Sequence, residues 1–136
     1  MTIAAVTIYF AVTSPVFLAA DALMLGFVIS PMFRAALGQT MVDGLRLGPA
    51  IGFYLLYMAG VFYFAGAPAL RDGVAMLALI NGAILGLIAY GTYELTSWAV
   101  MRDWHLGMVA TDMLWGAFVT GISAYIGVRV ALAFAG

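Results

Sequence analysis

Four long apolar runs separated by three shorter polar breaks make up this chain. A helix crosses roughly 30 Å of hydrocarbon with about 20 apolar residues, and each run is close to that length. The first extends from about residue 3 to 30. Ser14 and Pro15 interrupt it with a pair that suits a helix start, but the stretch after Pro15 is too short to cross alone. The run therefore reads as one kinked or tilted helix. The second run covers about residues 50–66, the third 74–100 and the fourth 108–134. The first break, 31–49, carries Arg34, Asp43 and Arg46 among glycines. Within it Phe33, Leu37, Met41 and Leu45 recur every four residues, a stripe that suits a short helix in the headgroup plane. An irregular loop is an equally open reading. The second break, 67–73, is so short that spans two and three form an antiparallel hairpin. The pattern as a whole predicts an all-α, single-domain integral membrane four-helix bundle, with both termini on the same side.

Composition strengthens that reading. Of 136 residues, 66% are hydrophobic and 8% charged, against about 25% charged in a soluble domain. Water would leave such a surface uncovered, so the solvent has to be a bilayer. Cysteine is absent, which excludes disulfides and thiolate metal sites. A net charge of −1 offers no basic patch, so no nucleic acid is expected as a partner. No Lys or Arg precedes the first run, so it is expected to remain as a helix rather than be cleaved as a signal. Arg34, Arg46 and Arg102 lie in the first and third breaks, against Arg71 and Arg129 on the other side. That bias points the first and third breaks to the cytoplasm of a bacterial inner membrane, with periplasmic termini. Gly82-xxx-Gly86 has the spacing of closely packed membrane helices.

Acidic residues change the picture most. Asp21, Glu94 and Asp112 sit inside apolar runs, where a carboxylate costs about 2.5–3.5 kcal/mol on insertion scales and invites a functional role. At about 1.5 Å rise per residue, Asp112 lies roughly 7 Å, Glu94 roughly 9 Å and Asp21 roughly 15 Å from breaks on one side of the membrane. All three are therefore expected in one half of the bilayer. Tyr90, Glu94 and Ser97 share a face of span three; Asp112, Gly116, Val119 and Ser123 share one of span four; Ser14, Leu18 and Asp21 share one of span one. Tyr54 and Tyr57 of span two are phenol donors, and Tyr93 and Trp115 complete the candidate set. No basic residue of the spans faces these acids, so they either stay protonated or bind a cation or a cationic ligand. The plainer readings are a helix cap for Asp112, a tyrosine-bonded protonated acid for Glu94, an interfacial aromatic belt for Trp98 and Trp104, and a solvated loop histidine for His105. No resident cofactor or metal is expected.

Three stretches also resemble a known family. FLAADALMLG in span one, YLLYMAGVFYF in span two and AYGTYELTSWAVMRDWHLGMVATDMLWGAFVT across spans three and four look like a family of small bacterial four-helix membrane proteins, the domain of unknown function 2177. The likeness covers nearly the whole chain. It implies that Asp21, Tyr90, Tyr93, Thr96, Asp112, Trp115 and Gly116 occupy motif positions. This chain has Glu94 where the family pattern leads one to expect Asp, Ser97 in place of Asn and Met24 in place of Trp. The longer arm of Glu94 keeps carboxyl chemistry but argues against a strict metal geometry.

Three functions fit these features. The first is binding or processing of a lipid or other amphipathic small molecule, with Asp21, Tyr57, Tyr90, Tyr93, Glu94, Ser97, Asp112 and Trp115 meeting its polar head. The second is proton- or cation-coupled transport, which in so narrow a bundle calls for a homodimer. The third is a non-catalytic subunit or assembly factor of a larger membrane complex. Enzymatic activity is undecided, because no nucleophile–base arrangement stands out.

Overall fold

A computed structural model describes residues 1–135, and among these the secondary structure is entirely helical. Four helices are long and apolar enough to cross a membrane: α1, Ile3–Thr40; α2, Leu47–Asp72; α3, Ala75–Val100; and α4, Leu106–Ala135. α1 starts where the Thr2 hydroxyl accepts from the Ala5 amide at 3.0 Å, a side-chain cap on an otherwise free donor. Pro15 lies within its regular α-helical part, Ile3–Met24.

The first two helices run further than the hydropathy pattern indicates. α1 does not end at Pro31 but continues through Ser30–Leu37 to a short 3₁₀ turn at Gly38–Thr40. α2 does not end at Gly66 but continues through Ala67–Asp72. One device explains both. A proline in a helix lacks a donor, and its ring crowds the carbonyl four residues back. At these two positions the proline follows a widened π-helical turn, Leu25–Ile29 before Pro31 and Phe62–Gly66 before Pro68. The amides of Ser30 and Ala67 reach back five residues, to the carbonyls of Leu25 and Phe62. The expected second break shrinks to a turn at Gly73, whose φ of 67° lies in the left-handed region.

The Phe33, Leu37, Met41, Leu45 stripe is accordingly no separate helix on the membrane surface. Phe33 belongs to the end of α1 and is buried with Ile29, Trp104, Met108 and Val109, with Leu37 and Met41 packed against them. Leu45 falls beyond the helix and is exposed.

α4 is the most enclosed helix, packing along α3 and against α1. Small residues make the α3–α4 contact close. A Cβ on Gly82 would lie 2.9 Å from the Gly121 Cα, and one on Gly86 would collide with the Gly116 backbone. On α1 the buried face is Tyr9, Thr13, Phe17 and Asp21, one residue per turn. The expected face through Ser14 and Leu18 is rotated away, with Ser14 only partly buried and Leu18 41% exposed. The outside of the bundle is apolar, with Leu55, Leu56, Ile88, Leu114 and Phe118 all exposed. That distribution suits a hydrocarbon solvent and leaves few polar groups outside the core.

Candidate functional site

Asp21, near the middle of α1, is 5% exposed and accepts two hydrogen bonds. Tyr54 of α2 donates to its Oδ2 at 2.5 Å, and Trp115 of α4 donates from Nε1 to its Oδ1 at 3.0 Å. One carboxyl thus ties together three helices. Glu94 of α3 is fully buried. Trp104, in the turn between α3 and α4, donates from its indole to Glu94 Oε1 at 3.0 Å, while Oε2 has no hydrogen-bond partner. Asp112 of α4 is the acidic neighbour of Glu94 and lies within electrostatic reach of Asp21 as well. The three acids placed in one half of the bilayer by their depth along the chain are therefore together in space.

The spacing Asp112, Trp115, Gly116 puts three positions with different tasks on one face of α4. Asp112 lines the cavity, and Trp115 reaches Asp21. Gly116 leaves room for the Tyr90 ring, whose Cδ2 would stand 2.7 Å from a Cβ there. Tyr90 in turn meets Tyr57 edge to face at 6.1 Å, and the Tyr57 hydroxyl pairs with Thr120 Oγ1 at 2.8 Å.

Part of this cluster forms the polar wall of an open cavity of about 460 Å³. Asp21, Tyr54, Tyr90 and Asp112 line that wall, and Ser30 adds a hydroxyl. Leu25, Ile29, Phe33, Met41, Leu45, Phe53 and Ala89 supply the apolar remainder, with Tyr93 beside them. No arginine or histidine is among the lining residues.

Several sequence expectations require correction. Ser97 is not part of the cavity; it sits near the end of α3, where its carbonyl accepts from the Met101 amide. Tyr57 is one layer behind the cavity, and Tyr54 is the phenol that meets an acid. Trp104 is no belt residue: it is 7% exposed and bound to Glu94. Trp98 is 42% exposed, as a belt position requires. Asp112 is too far past the start of α4 at Leu106 to cap it. Thr96 faces outward and bonds the Thr92 carbonyl of its own helix. His105 is exposed. Tyr54 and Trp104 are the two site residues hardest to assign from sequence. The only signal for either was an aromatic donor within a turn or two of an acid or a break.

Together the apolar exterior, four spanning helices and buried carboxyl cluster define a polytopic α-helical membrane protein with a polar site in its core. The chain belongs to the family described as predicted membrane protein (DUF2177), whose model matches residues 6–129. No curated protein and no solved structure matches it.

Chemically, the cluster can accept hydrogen bonds and stabilise positive charge. The phenols of Tyr54 and Tyr90 can donate to a ligand or to the acids.

Proposed function

We propose that this protein binds an amphipathic molecule, a lipid or a compound of similar build, in the cavity between α1, α2, α3 and α4. The observation that carries this reading is the two-sided lining: acids and phenols at one wall, aliphatic and aromatic side chains over the rest. The volume falls within the roughly 300–1,000 Å³ usual for small-molecule sites. A polar head would meet Asp112, Tyr54 and Tyr90, and an apolar chain would lie against Leu25, Ile29 and Phe33. The same reading sets the protein in a bacterial inner membrane, with both termini periplasmic and the cavity in the cytoplasmic half.

Native mass spectrometry of the intact protein released from mild detergent tests the proposal. A discrete added mass is expected on the wild type and on Gly52→Ala. It should be absent from Ala89→Phe, which adds a ring at an apolar lining position. A bare wild-type mass would refute the reading.

One observation favours a second reading, proton- or cation-coupled transport. The hydroxyls of Tyr9, Thr13 and Ser123 are buried without hydrogen-bond partners. They continue the line begun by Tyr57 and Thr120, toward the end of the bundle opposite the acids. Such groups conduct protons when water joins them. Proton flux into reconstituted vesicles, lost in Asp21→Asn, is what this reading requires.

A further inference from the structure

The hydrogen bonds around the acids have a direction, and the direction limits the ligand. An indole N–H only donates. Trp115 therefore makes Asp21 Oδ1 an acceptor, and Tyr54 donates to Oδ2, so Asp21 accepts on both oxygens. Trp104 likewise makes Glu94 Oε1 an acceptor. The second Glu94 oxygen, Oε2, is buried without a partner. The cluster is therefore built from acceptor oxygens on two of the helices that line or back the cavity.

Among the described residues no cationic side chain stands against these acceptors. The chain has no lysine, and its five arginines and single histidine are all exposed. Buried charge without a partner costs several kcal/mol. Among the described residues, no three Asp, Glu or His side chains are arranged to hold a metal ion. Asp112, unlike Glu94, lines the cavity, and Tyr90 and Tyr93 line it too. An ammonium brings the missing positive charge and up to three donors in one small group, and it is attracted to aromatic faces.

We infer that the cavity selects amphiphiles whose head is a protonated amine, held by Asp112 in front of the Glu94 carboxyl, over those with neutral or anionic heads. This rests on the reading of the cavity as an amphiphile site. A carboxylate or a bare phosphate head would add like charge to the cluster and be repelled.

Three probes of equal chain length separate the cases: dodecylamine, dodecanol and dodecanoate, each titrated at neutral pH into the intact protein in mild detergent. Ala89→Phe serves as the background for partitioning into micelles. Saturable binding absent from Ala89→Phe is expected, with the amine at least about tenfold tighter than the alcohol, a difference of about 1.4 kcal/mol. Dodecanoate should bind most weakly. Asp112→Asn should bring the amine down to the affinity of the alcohol, and Asp112→Glu should retain the preference. Equal binding of amine and alcohol, or a preference that survives Asp112→Asn, would overturn the inference while leaving the amphiphile site standing. If no probe binds above the Ala89→Phe background, the site itself fails.

Discussion

A missing Cβ at Gly116 decides whether Tyr90 can reach the cavity wall. The Tyr90 ring occupies the space that a side chain at Gly116 would need, and the backbone there is also what Gly86 packs against. Helix backbones have nowhere to give, so the clash must be relieved by moving the tyrosine or separating α3 from α4. Gly116→Ala is expected to destabilise the bundle by about 1–3 kcal/mol, the usual range for overpacking. It should also weaken ligand retention, because Tyr90 moves. Gly52, with nothing within 4 Å of its Cβ position, provides the comparison. Gly52→Ala should stay within about 0.5 kcal/mol of wild type. Denaturant titration in mixed micelles reads both, and equal stability of the two variants would mean that the α3–α4 contact is looser than described.

At the scale of elements, the prolines and the one tight turn set where α1 and α2 end. Proline ordinarily marks a helix boundary, so hydropathy and proline together place the ends near residues 30 and 66. Widened turns absorb both prolines, and the helices run on to Thr40 and Asp72. The α1 extension has a consequence for the site, since Ser30 and Phe33 both line the cavity. Reversal into α3 then falls on Gly73 alone. Its left-handed φ of 67° costs a residue with a Cβ about 1–2 kcal/mol. Gly73→Ala should lower the unfolding midpoint accordingly. Gly73→Asn should lose less, because asparagine tolerates that region. No difference between the two variants would argue against a left-handed turn at this position.

For the whole molecule, the outside decides the solvent and the charges decide the orientation. Leu55, Leu56, Ile88, Leu114 and Phe118 point away from the core, and the arginines are exposed near the ends of helices or in breaks. If the arginine bias orients the protein, the segment between α1 and α2 faces the cytoplasm and the α2–α3 turn faces the periplasm. The natural absence of cysteine makes this directly readable. Asp72→Cys should react with a membrane-impermeant maleimide in intact cells, and Asp43→Cys should react only after the membrane is opened. The reverse result would invert the topology and place the acid cluster in the outer half of the bilayer.

Much was settled by sequence alone. Run length against bilayer thickness dictates helices of this kind, because unpaired backbone groups are intolerable in hydrocarbon. Third and fourth runs expected at 74–100 and 108–134 correspond to α3, Ala75–Val100, and α4, Leu106–Ala135. Depth along each helix was also enough to bring Asp21, Glu94 and Asp112 together, since rise per residue is nearly constant. Rotation is different. One residue turns a helix by about 100°, and in spans that are apolar all round, little in the pattern says which face looks inward. That is why Ser14 and Leu18 were aligned with Asp21 when Thr13 and Phe17 share its buried face. It is also why Tyr54 rather than Tyr57 meets the acid, and why Ser97 is left outside. Trp104 shows the same limit in a turn: its place beside a break suggested the interface, and only the return of α4 over the end of α3 carries its indole to Glu94. Which donor serves which acid is decided by packing between helices, and packing exists only in the folded molecule.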